Sequence, residues 1–246
     1  MPPVRAITTV SACLGLAAFI GVLTLGQIEG RAPRDRILGD NSASGVSTQA
    51  VRRALIRGHT EGALSIARLA SQERPDDPDA AMWRAIMEHR SRSGLAGTAS
   101  RRLTELIGPD RADMNPLDRS SHAYHRGWAL LTAGRSREAA EAFVLAADLY
   151  EQAAQGWDPA LYQYNLACYR AMGGQTDRAA EHFALCVAAG YSDRTGWWKA
   201  DPDLDPIREH PVFIAAAARL ERPAREGPSP DTDADTRTGG PGGPGG

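Results

Sequence analysis

The chain has 246 residues, of which 42% are hydrophobic and 24% are charged, and its formal net charge is -2. This length and composition are typical of one soluble domain with additional segments, since single domains usually run to roughly 100–200 residues. The net charge is near neutral and the sequence has no basic stripe, so electrostatics gives no reason to expect a nucleic-acid partner.

The chain begins with an apolar run. No residue between Arg5 and Glu29 is charged, and the 21 residues 6–26 are mostly apolar. That length is enough to cross the roughly 30 Å core of a bilayer. Residues 1–27 therefore predict a single-pass membrane anchor with the rest of the chain extracytoplasmic. A cleaved signal peptide, which would make the protein secreted, is the alternative, although "TLG" before Gln27 is a weak cleavage site.

Two further segments are predicted to lie outside the folded domain. Residues 28–46 are polar and contain Pro33, Gly39 and Gly45, which predicts a linker. Residues 222–246 are rich in glycine and proline and contain no aliphatic or aromatic side chain larger than alanine. Because such a composition cannot bury a core, these residues are predicted to be a disordered tail.

A spacing pattern recurs four times in the middle of the chain. A glycine is followed by alanine after five residues, by a core residue after four more, and by a small or apolar residue after three more. The glycines stand 36, 40 and 40 residues apart. Glycine can take the left-handed conformation that ends a helix, and alanine lets two helices approach closely. The sets are Gly58-Ala63-Ala67-Ala70, Gly94-Ala99-Leu103-Leu106, Gly134-Ala139-Phe143-Ala146 and Gly174-Ala179-Phe183-Cys186.

Small or β-branched residues also precede three of these glycines by seven positions, namely Val51, Gly127 and Ala167. They predict a preceding helix that packs closely on the following one.

This pattern resembles the tetratricopeptide repeat, a helix–turn–helix unit of 34 residues. Residues 164–190 resemble it most, with Leu166, Ala167, Gly174, Ala179 and Phe183 at signature places. The resemblance covers residues 47–221 and implies an all-α superhelix of stacked helix pairs. Its units are about 47–77, 78–113, 120–155 and 160–189. The unit at 78–113 departs from the pattern, with two extra residues before Gly94.

The stretch "GYSDRTGWWKADPDLDPIREHPVF", residues 190–213, resembles the segment that often closes a group of such repeats. The last unit of a stack leaves an apolar face uncovered, so residues 190–221 are predicted to form a cap. Asp201-Pro202 and Asp205-Pro206 each predict a helix start, and Pro211 begins a final helix that runs to Leu220. The apolar residues expected to cover the stack are Trp197, Trp198, Leu204, Ile207, Val212 and Phe213.

A calcium site is the alternative for the acidic part of this stretch. Asp201, Asp203 and Asp205 alternate as the first ligands of an EF-hand loop do. However, Pro206 stands where the loop needs glycine, and Val212 stands where it needs glutamate. No metal site is therefore predicted.

Little else in the sequence carries chemistry. Cys168 and Cys186 are predicted to be buried apolar residues, and a disulfide between them is the alternative. No phosphate-binding loop, zinc motif or nucleophile–base signature occurs. Neither catalysis nor a cofactor is predicted.

The resemblance implies that the first helix of each unit lines a concave groove. The residues placed on that groove are Met82, Trp83, Ile86, Tyr124, His125, Trp128, Tyr164, Asn165 and Cys168. Such an aromatic groove favours an apolar or aromatic-bearing partner segment. Packing between repeats is the alternative role for each aromatic residue, and burial distinguishes the two.

The expected function is therefore a non-enzymatic, membrane-tethered adaptor that binds a partner protein or peptide in the groove. A structural or self-assembling subunit, with the groove filled by another copy or by the chain's own linker or tail, is one alternative. An enzyme or small-molecule binder that uses the groove as a pocket is the other.

Overall fold

A computed structural model describes residues 43–111, 113–154, 156, 158–193 and 195–221. The predicted anchor at 1–27, most of the predicted linker and the predicted tail at 222–246 lie outside these residues. None of the helices in the described ranges combines the length and the apolar character that a membrane crossing needs.

The described residues form helices and contain no β-strand, so the prediction of an all-α fold is confirmed. The first helices of four successive pairs are α1 (Ala43–Ile56), α3 (Pro78–Arg90), α5 (Pro116–Thr132) and α7 (Pro159–Met172). The second helices are α2 (Thr60–Glu73), α4 (Ala96–Ile107), α6 (Ser136–Ala153) and α8 (Thr176–Ala188). The short α9 (Trp197–Ala200), a 3₁₀ helix (Pro202–Ile207) and α10 (Pro211–Leu220) follow. Residues 43–46, which the sequence assigned to the linker, belong to α1.

Three of the first helices start with the same local chemistry. Each begins with a proline, whose missing N–H is not needed at that position. The preceding Asp77, Asn115 or Asp158 accepts backbone N–H bonds from the first turn of its helix. These caps satisfy donors that have no partner within the helix.

From α1 to α8, each helix packs on the next one along the chain, and α1 also contacts α3 while α3 contacts α5. The core lies between the layers and is built largely from small side chains, because the alanines Ala63, Ala99, Ala139 and Ala179 are at most 3% exposed. A methyl group on Gly127 of α5 would lie 2.7 Å from the nearest ring atom of Phe143 on α6. The two helices therefore approach as closely as the repeat pattern predicts.

Buried charges connect neighbouring helices. The Glu88 side chain of α3 is fully buried and accepts two hydrogen bonds from Arg68 of α2, at 2.8 and 2.9 Å. This pairing lowers the pKa of Glu88 below its usual value. Arg170 of α7, 4% exposed, pairs with Asp148 at 2.8 Å and with Glu151 at 2.7 Å on α6. Such pairs are costly to break, because removing one partner leaves an uncompensated buried charge.

The turns within the pairs agree with the predicted glycines except in one case. Gly58, Gly134 and Gly174 have φ of 73°, 80° and 75°, in the left-handed region. In the second pair the left-handed residue is Arg92, with φ of 53°, and Gly94 is not among the glycines of positive φ. The prediction that Gly94 ends a helix is therefore wrong. The two extra residues of this unit move the turn to Arg92, because α3 already ends at Arg90.

We expect Arg92→Gly to stabilise the protein by about 1 kcal/mol, because a side chain in the left-handed conformation costs roughly 1–2 kcal/mol, offset in part by the extra chain entropy of glycine. Urea unfolding followed by far-UV circular dichroism measures the change. Gly94→Ala is the matched control and should be nearly neutral, since a methyl group there meets nothing within 4 Å. A stability loss for Arg92→Gly would contradict the assignment of the turn.

Candidate functional site

The nine predicted groove residues lie on one set of helices. Met82, Trp83 and Ile86 belong to α3; Tyr124, His125 and Trp128 to α5; Tyr164, Asn165 and Cys168 to α7. All nine are buried, and the most exposed, His125, is only 6% exposed. We call the faces that carry these nine residues the inner face. Other parts of the chain therefore cover the side chains of the inner face.

Residues 190–193 and 195–221, which we call the cap segment, pack across the helix pairs. The 3₁₀ helix contacts α7, α10 contacts α8, and α9 contacts α1. Trp197, Trp198, Leu204, Ile207 and Phe213 are each at most 7% exposed.

One predicted cap residue does not cover the stack. Val212 is 39% exposed, so the prediction that it packs on the last pair is wrong. Its neighbour Phe213 takes that role, with its ring centroid 4.4 Å from that of Phe183 on α8. Adjacent residues of a helix point in different directions, so only one of the two faces α8.

Trp197 connects the end of the domain to its beginning. Its ring meets that of Trp83 on α3 edge to face, with centroids 6.1 Å apart. The guanidinium carbon of Arg52 on α1 lies 4.3 Å from the centroid of the Trp197 ring. Contacts of this geometry add cation–π attraction to the burial of a large apolar ring. The cap segment therefore joins the first two pairs to the last.

Two aspartates of the cap segment are buried against tyrosines of the inner face. The Tyr124 hydroxyl lies 3.0 and 3.2 Å from the two carboxylate oxygens of Asp203 and donates to them. The Tyr164 hydroxyl donates to Asp201 at 2.7 Å, and the Cys168 thiol lies 3.9 Å from the same oxygen. Both aspartates are 1% exposed. Hydroxyl donors of this kind compensate the loss of water around a buried carboxylate.

A third aspartate is held at the edge of the inner face. Asp205 forms a 2.5 Å ion pair with Arg90 at the end of α3, and both side chains are more than one third exposed. The prediction of a helix start at Asp205-Pro206 is wrong, because Pro206 lies inside the 3₁₀ helix that Asp201 caps. The predicted starts at Asp201-Pro202 and Pro211 agree with the structure.

Some of the nine residues also bond or pack between helices. The Trp128 ring meets Phe143 of α6 edge to face at 6.0 Å. The Asn165 amide donates to the Tyr150 hydroxyl of α6 at 2.8 Å. Met82 and Ile86 are at most 1% exposed. The inner face is therefore both a docking surface for the cap segment and part of the hydrophobic core.

His125 connects α5 to the start of α3. Its Nε2 lies 2.9 Å from the carboxylate of Asp79, and its Nδ1 lies 2.8 Å from the carbonyl oxygen of Ser121. Burial by itself lowers the pKa of His125, but the hydrogen bond and charge of Asp79 outweigh it. The pKa of His125 therefore lies above its usual value.

Cys168, Asp201 and Asp203 are the described residues that could offer ligand atoms to a metal ion, since these atoms lie within 4.8 Å of one another. Their carboxylates already accept the tyrosine hydroxyls, and Asp201 also accepts the backbone N–H of Asp203 at 3.1 Å. The bonds made by these groups explain their burial without a metal ion. Cys168 and Cys186 are both buried thiols that are not joined by a disulfide bond, and burial raises the pKa of Cys186.

A cavity of about 370 Å³ lies between the end of α1 and the cap segment. It is lined in part by Asp193, Trp198, Lys199 and Glu221. Lys199 and Glu221 pair with each other at 2.8 Å. Because none of its lining residues is among the nine, this cavity is separate from the inner face.

Comparison with models of protein families, with curated proteins and with solved structures gave no match.

Sequence reasoning missed the cations that meet the cap segment. Arg52 and Arg90 lie on first helices, but neither belongs to the repeat pattern. The local pattern indicated metal ligands or helix caps for the three aspartates, and did not indicate acceptors for distant donors. The unusual alternation of Asp201, Asp203 and Asp205 beside two tryptophans is the one local signal that could have indicated a docking segment.

We expect Tyr124→Phe to destabilise the protein by about 1.5–3 kcal/mol, since the hydroxyl donates to a buried carboxylate. Urea unfolding followed by tryptophan fluorescence measures the loss. A double-mutant cycle with Asp203→Asn should show a coupling of at least about 1 kcal/mol. Tyr162→Phe on α7 is the matched control and should change stability by less than about 0.5 kcal/mol. Additive effects of Tyr124→Phe and Asp203→Asn would show that this bond does not hold the cap segment.

The pH dependence of His125 provides a second test. Because its pKa is raised by folding, its contribution to stability is complete below the unfolded value of about 6.5 and is lost as pH rises through the folded value. The difference in free energy of unfolding between wild type and Asp79→Asn should therefore be larger at about pH 6 than at about pH 9. Chemical unfolding at both pH values gives this difference. A difference that is independent of pH would mean that the Asp79 charge does not hold His125 protonated.

Proposed function

We propose that this protein is a non-enzymatic interaction scaffold, built as a superhelix similar to that of tetratricopeptide repeats and closed by a capping helix. The inner face is its binding site for a partner protein or peptide. One observation carries the proposal: the inner face already holds a protein segment, the chain's own residues 197–207, through Tyr124, Tyr164 and Arg90. A surface that binds this segment in cis has the donors and the apolar area to bind a similar segment in trans.

The cap segment then acts as a resident occupant that a partner displaces. Part of its contact is weak enough to exchange, since the Arg90–Asp205 pair is solvent-accessible and exposed ion pairs contribute only about 0–1 kcal/mol. The buried contacts of Trp197, Asp201 and Asp203 set how rarely the cap segment opens. Because only molecules with an open inner face can bind, the apparent affinity for a partner is the intrinsic affinity multiplied by the fraction of molecules that are open.

A binding role fits the inner face better than a catalytic one. His125 of the inner face and Asp201 and Asp203 of the cap segment are buried titratable groups, and each bonds another protein group. None of these three residues lines the cavity between α1 and the cap segment. We therefore propose no cofactor, no metal and no nucleic-acid partner.

A self-assembling subunit is the second candidate function. The occupant of the inner face is part of the chain itself, so every additional copy carries the same segment. Exchange of cap segments between copies would create a homo-oligomer with the same contacts. We propose in either case that residues 6–26 tether the protein to a membrane and that the helical domain is extracytoplasmic, with secretion as the alternative.

Hydrogen exchange followed by mass spectrometry tests the proposed function. If the cap segment opens without global unfolding, amides of residues 197–207 should exchange at least about tenfold faster than those of α5 and α6. Trp197→Ala should widen this ratio, whereas the outer-surface control Leu145→Ala, at a site 40% exposed, should not. Equal exchange of residues 197–207 and α5 in wild type and in Trp197→Ala would mean that the inner face does not open without global unfolding, and the proposed function would be wrong.

A further inference from the structure

The contacts of the cap segment define what the inner face can recognise. Among the side chains of the segment that meet the helix pairs are Trp197 and three aspartates, Asp201, Asp203 and Asp205, which lie four, six and eight residues further on. Each meets a different partner on the first helices. The contacts are therefore a pattern along one short stretch of chain and not a single anchor.

The aromatic position is the apolar anchor of the pattern. Trp197 is 3% exposed and contacts both the Trp83 ring and the Arg52 guanidinium. A tryptophan has the largest aromatic surface and the strongest attraction for a cation over its face. A smaller side chain at this position would leave part of the Trp83 ring uncovered.

Two kinds of donor contact the three acidic positions. At the first two, the hydroxyls of Tyr164 and Tyr124 donate to buried carboxylates. At the third, the Arg90 guanidinium pairs with the exposed Asp205. Donors of this kind favour a carboxylate, which accepts at both oxygens, over an amide, which presents donors of its own.

Proline adds to this pattern by restricting the free segment. Pro202 follows Asp201 and Pro206 follows Asp205, and both lie in the 3₁₀ helix. A segment with fixed φ at these positions loses less conformational entropy on binding. The segment that fits the inner face is thus short, acidic and partly ordered before it binds.

We propose that the inner face recognises a partner protein that presents a tryptophan followed by acidic residues at the fourth, sixth and eighth positions. We call this pattern the tryptophan–acidic segment. This inference rests on the proposed function and specifies its partner. The partner's segment takes the place of residues 197–205, and its carboxylates accept the hydroxyls of Tyr164 and Tyr124 and pair with Arg90.

A labelled peptide of residues 193–209 is the probe, titrated with the full chain and followed by fluorescence anisotropy. The Trp197→Ala chain, whose own cap segment competes less, should bind the peptide at least about tenfold more tightly than the wild-type chain. A peptide with Asp201→Asn, Asp203→Asn and Asp205→Asn should bind at least about tenfold more weakly, which corresponds to about 1.4 kcal/mol.

A second pair of variants tests the pattern without disturbing the core. Arg90 is at the edge of the inner face and its side chain is 36% exposed, so Arg90→Ala should leave the fold intact. In a chain that carries Asp205→Asn, the cap segment no longer pairs with Arg90, so Arg90→Ala affects only the bound peptide. Adding Arg90→Ala to this chain should weaken binding of the unmodified peptide several-fold and leave binding of the Asp205→Asn peptide unchanged. Independent losses from Arg90→Ala and Asp205→Asn would contradict the pairing in trans.

The outcomes separate this inference from the proposed function. If residues 197–207 open by hydrogen exchange but the peptide fails to bind, or the triple-Asn peptide binds equally well, the assignment of the tryptophan–acidic segment is wrong while the scaffold proposal stands. If residues 197–207 never open, the scaffold proposal itself fails. If the chain sediments as a dimer that the peptide dissociates, the occupant is a second copy, and the assignment to a separate partner is overturned.

Discussion

The structure depends on the burial of two carboxylates between the cap segment and the helix pairs. A buried carboxylate costs several kcal/mol unless donors replace its lost water. Asp201 and Asp203 meet this requirement where Tyr164 and Tyr124 present their hydroxyls. The contacts of Trp197 and Leu204 bury apolar surface, but because apolar contacts are not directional they do not fix the position of the cap segment. We infer that the tyrosine–aspartate bonds set the register of the cap segment, because a shifted segment would bury unpaired charges.

This docking also changes how the repeat stack is held together. In an open array, each unit contacts only its neighbours, so its stability is roughly a sum of local terms. Here Trp197 follows the last pair yet packs on Trp83 of the second pair and beneath Arg52 of the first. The two ends of the domain are therefore linked by contacts between residues more than one hundred positions apart. Such contacts make opening of the cap segment and loosening of the first pairs interdependent.

The inner face has two roles that use the same side chains. Trp128 and Asn165 bind neighbouring helices, whereas Trp83, Tyr124 and Tyr164 meet the cap segment. Under the proposed function, a partner that displaces the cap segment must replace its hydrogen bonds as well as its apolar surface. The proposed acidic, tryptophan-bearing segment meets this requirement, whereas a purely apolar segment does not. In this proposal, partner selectivity and domain stability depend on the same few hydroxyl groups.

The sequence alone determined the helices, because their signals are local. Glycine and alanine spacing placed the turns at Gly58, Gly134 and Gly174, and the close approach at Gly127 follows from the same pattern. The exception is Arg92, where two inserted residues moved the turn to a non-glycine residue, which rarely adopts the left-handed conformation. Only the tertiary structure decided what covers the inner face. Tyr124 and Asp203 are 79 residues apart, and no periodicity of the chain links positions so distant. Their pairing follows from the path of the cap segment across the helix pairs, which is set by the packing of all the helices together.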